Sequence, residues 1–93
     1  MDFEWDDDKA GLNERKHGVT FSEAMTVFAD PLSVTAFDPL HSDREDRFLT
    51  MGMSIDGVLI VVSHMDRGEV IRIISAREAT RRERKDYEDG KFP

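Results

Sequence analysis

The sequence contains no cysteine, and that absence removes several chemistries at once. No disulfide can brace the fold, no thiolate can hold a metal, and no thiol can act as a nucleophile. Such a composition suits a reducing compartment. Long apolar runs are missing too: the longest, Val58 to Val62, falls far short of the ~20 residues that span a bilayer. The opening residues, MDFEWDDD, are acidic where a secretory signal would be basic, so a cytoplasmic protein with no membrane partner is expected. Also absent are the Walker loop, the dinucleotide glycine fingerprint, HExxH and zinc-finger spacings. The histidines, His17, His41 and His64, lack the close spacing of a zinc site. Neither cofactor nor metal is therefore expected.

What the chain does have is 93 residues, room for one domain over 1–93. A chain of that size buries roughly 60% of its unfolded surface, so a partner subunit could add to its stability. The net charge of −7 argues at first against nucleic acid. The average conceals a pattern, however. Residues 1–14 carry Asp2, Glu4, Asp6, Asp7, Asp8 and Glu14 against Lys9 alone, whereas residues 72–85 set Arg72, Arg77, Arg81, Arg82, Arg84 and Lys85 against Glu78 and Glu83. A solvated helix face with pairs such as Glu78–Arg82 accounts for the second stretch as well as an anion site does.

Periodicity divides the chain into α and β parts. After a short extended FEW, Asp6 is placed to cap a first helix running to about Lys16, and Gly18 fits the left-handed position beyond its end. Thr20 and Glu23 form a T-x-x-E capping box for a second helix, whose apolar stripe is Phe21, Ala24, Met25 and Phe28. From Leu32 the period is two: Leu32, Val34 and Ala36 form one strand. Leu49, Met51, Met53 and Ile55 form the next, and Asp56-Gly57 supplies a tight hairpin turn. VLIVVSHM and EVIRIIS complete the set, and a last helix is expected from Ala76 or Arg77 to about Asp89, closed by Gly90. The expectation is an α+β fold: two N-terminal helices, a four-stranded antiparallel meander and a C-terminal helix.

Arg72 is the most informative single residue, since it shares a strand face with Val70 and Ile74 in an apolar run. A charge there needs a partner, either a structural carboxylate or a ligand anion. Arg77, Arg81 and Arg84 recur at i, i+4 and i+7, which would set them on one face of the last helix beside that strand as an anion-binding ledge. Ser75 reads as a helix cap rather than a nucleophile. His41 lies with Glu45 and Arg47 in the polar loop DPLHSDRED, where proton transfer or simple solvation would both fit. His17, after Lys16, suits a helix C-terminus, and His64 the end of a buried strand. Metal-free chemistry on an anion, RNA cleavage above all, uses such parts: a base for the 2′-hydroxyl, arginines for the phosphorane charge and an acid for the leaving oxygen.

Three stretches together resemble the BrnT family of bacterial toxins. They are FEWDDDKAGLNERKHGVTFSEAMTVFADP, the D-x-x-H-S-x-x-E-x-R pattern from Asp38 to Arg47, and RIISAREATRRERKDYE, which span nearly the whole chain. The resemblance implies a RelE-like fold and the toxin half of a type II toxin–antitoxin pair, with ribonuclease activity that stops translation. It also implies neutralisation by a BrnA-like antitoxin, contact with operator DNA only through that antitoxin, and room for a toxin dimer within the complex. Carried over position by position, it marks Lys16, His17, His41, Glu45, Arg47, Arg72, Arg77, Arg81 and Glu83. Departures are small: Asp7 stands where a proline often opens the first helix, and SHM at 63–65 is less typical than its strand. The resulting expectation has His17, His41, Glu45, Arg72 and Arg77 in catalysis and Lys16, Arg47, Arg81 and Arg84 on RNA phosphates. Its alternative is a non-catalytic module that binds antitoxin as a co-repressor.

Overall fold

The computed structural model describes residues 1–91. Helix α1, Asp7–His17, begins where Asp6 Oδ1 accepts the Lys9 N–H at 3.1 Å and ends at Gly18, whose N–H still donates to Glu14 O and whose φ of 72° turns the following chain out of the helix. Its acidic first turn and its basic last turn, Arg15-Lys16-His17, both complement the helix dipole. Helix α2, Phe21–Thr26, is capped by Thr20, and a 3₁₀ turn at Val27–Ala29 extends it. The expected capping box is only half made there. Glu23 turns away from the helix start and accepts from Ser54 Oγ at 2.8 Å, fastening α2 to the hairpin loop.

Among the described residues five strands, not four, form the sheet, in the order β1-β5-β4-β3-β2. The antiparallel meander is present as β2 (Val34–Phe37), β3 (Phe48–Met53), β4 (Leu59–Arg67) and β5 (Val70–Glu78). The addition is β1, Asp2–Glu4, which pairs parallel to β5 through Asp2↔Val70, Phe3↔Ile71 and Glu4↔Arg72. The sheet is therefore mixed, and the expectation of a purely antiparallel meander is corrected. Three residues are too few to show a period, and their partners lie at the far end of the sequence.

Two clusters hold the layers together. On one face Phe21, Ala24 and Val27 pack on Ile60, Val62, Ile73 and Ala76. On the other, Met51, Leu59 and Val61 lie beneath Ala79 and Tyr87, the latter from helix α3, Arg81–Glu88. Asp30 ties that helix down: its carboxylate accepts from the Met53 N–H at 2.7 Å and from the Tyr87 hydroxyl. Burial alone would raise the Asp30 pKa, but the Met53 N–H, the Tyr87 hydroxyl and the Leu32 N–H together hold it below the ordinary value. The same bond pushes Tyr87 up to about 12.

The C-terminal helix starts later than its charge pattern suggests. Strand pairing runs on to Ile60↔Glu78, so Ser75 and Arg77 are strand residues. Thr80 is the cap, and with Glu83 it makes a complete capping box. Arg77 thus cannot share a helix face with Arg81 and Arg84, and Ser75 caps nothing. These layers are consistent with the RelE-like architecture that the resemblance implies.

Candidate active site

A bulge in β5 decides which side chains meet. His64 is paired with Ile73 and Ser63 with Ser75, so Ile74 has no opposite number. Without that extra residue, alternation would put Arg72 and Arg77 on opposite faces. With it, Arg72, Ser75 and Arg77 stand opposite Met65, Ser63 and Val61, on the face that α3 covers in part. Ile73 and Ala76 turn together into the core on the other side.

At one end of this face lies a cleft of about 370 Å³ lined by Leu40, His41, Asp43, Arg44, Glu45, Arg47 and Met65. The loop that builds it is tightly bonded. Asp38 N–H donates to Arg47 O at 2.8 Å, Ser42 Oγ donates to Asp38 O at 2.6 Å, and Arg47 N–H donates to Ser42 Oγ at 2.9 Å. Within that frame the Asp38 side chain is only 10% exposed, and its Oδ2 lies 2.8 Å from His41 Nδ1, while the His41 ring is 62% exposed. Three of the residues singled out from the sequence, His41, Glu45 and Arg47, therefore do come together.

Arg72 adjoins this cleft, being the direct cross-strand neighbour of Met65. Its partner is Glu4, at 3.5 Å, and Arg67 reaches Glu4 at 4.0 Å and Glu45 at 3.5 Å. These contacts are long and partly exposed, so each contributes little and can exchange for another anion. Sequence reasoning missed Asp38, Arg44, Met65 and Arg67 as site residues. The signal for Asp38 was the D-x-x-H spacing, which a 3₁₀ turn, here Pro39–His41, folds into contact.

Lys16 and His17 occupy a second, shallower cleft of about 200 Å³ with Lys9, Leu12, Asn13, Ile74 and Ser75, where the end of α1 meets the outer edge of β5. Buried Asn13 holds them there, with Nδ2 donating to Val19 O and Ala76 O and Oδ1 accepting from Ala76 N. Arg77 lies roughly 15 Å along β5 from Arg72. Both of its terminal nitrogens bond Glu83, at 2.7 and 2.9 Å, and that pairing lowers the Glu83 carboxyl to about 2. This, rather than Glu78–Arg82, is the ion pair with both partners inside the basic segment among the described residues. Arg81 and Arg84 are exposed on α3 and form no ion pair among those residues.

His64 stands apart. It is 2% exposed, with Nδ1 2.7 Å from Asp66 and Nε2 2.7 Å from the Thr50 hydroxyl, which in turn meets Thr35 at 2.7 Å. Burial lowers its pKa, and donation to Asp66 with acceptance from Thr50 suits a neutral ring. It is a structural core group, flanked by Phe28 and Phe48. Among the described residues no three carboxylate or imidazole side chains converge as a metal would require. No helix among them is long and apolar enough to cross a membrane.

Comparison with known proteins bears on this arrangement. The model for the "Ribonuclease toxin, BrnT, of type II toxin-antitoxin system" matches residues 5–83. The crystal structure of the Brucella abortus ribonuclease toxin, BrnT, superposes with a TM-score of 0.63 at 25% identity, over 87% of this chain and 99% of that one. A search of curated proteins finds no match. Because the family model takes in the α1 cleft, the histidine loop, strands β4 and β5 and the start of α3, the chain belongs to the BrnT family of ribonuclease toxins.

Proposed function

We propose that the chain is the toxin of a bacterial toxin–antitoxin pair and cleaves RNA without a metal, so stopping translation until a cognate antitoxin of the BrnA type binds it. The observation that carries this reading is the His41 cleft, where an imidazole, two carboxylates and two arginines line an open surface beside Arg72. In the reaction a base takes the proton of a ribose 2′-hydroxyl and the 2′-oxygen attacks the adjacent phosphorus. The bond from phosphorus to the 5′-oxygen breaks, and an acid returns a proton to that oxygen. The products are a 2′,3′-cyclic phosphate and a 5′-hydroxyl. His41 and Glu45 are the proton-transfer groups, with His17 as the candidate from the second cleft. Arg47 and Arg72 hold the phosphate and stabilise its developing charge, with Arg44 beside them. Lys16, Arg81 and Arg84 extend the cationic surface along the strand, while Arg77, already bonded twice by Glu83, supports the α3 junction.

The test is induction of the full chain in bacteria without antitoxin, alongside Arg72→Ala and His41→Ala. Arrested growth with fragmented RNA is expected from the parent chain and its relief from both variants, and co-expressed antitoxin should restore growth. Normal growth with intact RNA from a soluble parent chain would overturn the proposal.

A further inference from the structure

The Asp38–His41 contact carries a more specific conclusion, which rests on the ribonuclease reading above. We infer that Asp38 is a positioning residue that fixes His41 in the tautomer with its proton on Nδ1, so that Nε2 presents a lone pair to the cleft as the base toward the ribose 2′-hydroxyl.

The two oxygens of Asp38 have separate tasks. Oδ1 accepts the Leu40 N–H at 3.2 Å, and Oδ2 lies 2.8 Å from His41 Nδ1. Because a carboxylate only accepts, the nitrogen facing it must donate, and the neutral ring then has its free lone pair on Nε2. Asp38 is itself held on several sides. It is buried, its N–H and C=O are taken by Arg47 and Ser42, and its side chain is pinned by the Leu40 N–H. The contrast with His41 is that of a buried carboxylate orienting an exposed imidazole, the relation by which a base is held in a productive tautomer. A surface ion pair would instead have both partners exposed and mobile.

Asparagine at this position has one acceptor and one donor where aspartate has two acceptors. If its oxygen keeps the Leu40 N–H, its amide protons face His41 Nδ1, which must then accept, and the ring proton moves to Nε2. The cleft then meets a donor in place of a base. If the amide flips, its NH₂ opposes the Leu40 N–H and the loop loses that bond. Asp38→Asn therefore tests the tautomer with little change of shape.

The experiment uses the full chain purified from antitoxin, with a mixed-sequence single-stranded RNA transcript as substrate. The ring ¹⁵N signals of His41 are recorded in two-bond ¹H–¹⁵N spectra, and thermal unfolding confirms that each variant is folded. The expected result is an Nδ1-protonated His41 in the parent and an Nε2-protonated one in Asp38→Asn. The latter's kcat should fall on the order of 10²-fold with KM changed less than about twofold. His41→Ala should lose at least as much, and the double variant should be no worse than His41→Ala alone, because Asp38 acts through the ring. A folded Asp38→Asn that keeps the parent tautomer and kcat while His41→Ala is impaired would overturn this inference and leave the ribonuclease reading standing. Cleavage by His41→Ala at the parent rate would remove His41 from the reaction and the role of Asp38 with it.

Discussion

Asn13 fastens the end of α1 to β5, and replacing it with alanine measures how firmly. Beyond the three residues that β1 covers, no strand among the described residues lies beside the outer edge of β5. Asn13 fills that place from α1, giving one hydrogen bond to Ala76 O at 2.8 Å, receiving one from Ala76 N at 3.0 Å and giving another to Val19 O at 3.0 Å. Its amide thus pairs with the backbone of Ala76 as an adjoining strand would. Ala76 is 1% exposed and Val19 3%, so water cannot readily replace the lost partner. Three backbone groups left short of a bond, at about 1 kcal/mol or somewhat more each, give a loss of about 3 kcal/mol in Asn13→Ala. At roughly 4–8 °C per kcal/mol for a domain of this size, the midpoint of thermal unfolding should fall by about 15 °C. Urea unfolding followed by circular dichroism gives the free energy, and an unchanged m-value would show that the loss belongs to the native state. A loss below about 1 kcal/mol would mean that the edge of β5 is satisfied without Asn13 and would refute the reasoning. Asn13→Asp should be no better, because its carboxylate would face two carbonyl oxygens with no proton to offer.

Gly52→Ala should destabilise the protein by about 2 kcal/mol in urea unfolding, since a Cβ there would lie 2.9 Å from Val27 Cγ1, 3.0 Å from Ser33 Cβ and 3.2 Å from Asp30 Oδ2. The Glu83–Arg77 pair should make stability depend on acid. The Glu83 carboxyl is held at about 2 in the fold against an ordinary 4.5, so its contribution is complete above about 4.5 and disappears as pH falls toward 2. With Arg77 40% exposed, solvent screening reduces the pair to about 1 kcal/mol, read as the parent's advantage over Glu83→Gln at pH 7 that vanishes near pH 2. An equal difference at both pH values would show that Glu83 acts only through its cap.

Local chemistry was legible wherever one residue type has one use. Asp6, Gly18, Thr20 and the Asp56-Gly57 turn all stand where side-chain acceptors and positive φ put them. What the sequence hid were choices made by distant partners. Glu23 has the spacing of a capping residue but bonds Ser54 thirty-one positions away. The last helix starts later than its charge pattern implies because Arg77, Arg81 and Arg84 mimic a helical face, whereas pairing with β4 keeps Arg77 extended and the helix start is marked by Thr80 with Glu83. Ile74 is apolar like its neighbours, so nothing local marks it as the bulge that turns Arg77 to the face of Arg72. In the site, the polar loop gave up His41, Glu45 and Arg47 by residue type, but Asp38 looked like one more solvated carboxylate. Its burial depends on the backbone bonds to Arg47 and Ser42.

The acidic beginning and basic end of the chain are therefore not separate surfaces. β1 lies beside β5, so Glu4 from the acidic stretch meets Arg72 and approaches Arg67. This contact and the Arg77–Glu83 contact differ in kind. Arg77 is held by two short bonds to a carboxylate that also closes a capping box, and moving it would cost the start of α3 as well as the pair. Arg72 and Arg67 are held at 3.5–4.0 Å by carboxylates 41–53% exposed, contacts that orient the guanidinium groups without saturating their donors. An incoming phosphate, with more acceptor oxygens and more charge than a carboxylate, competes well against the second arrangement and poorly against the first. On the ribonuclease reading this matters for a protein of net charge −7, because its overall field would repel RNA and binding would come from a few arginines whose existing partners are readily displaced. The phosphate-holding role proposed above accordingly falls to Arg72 and Arg47 rather than to the Arg77 junction, beside the histidine that a buried carboxylate orients toward an open cleft.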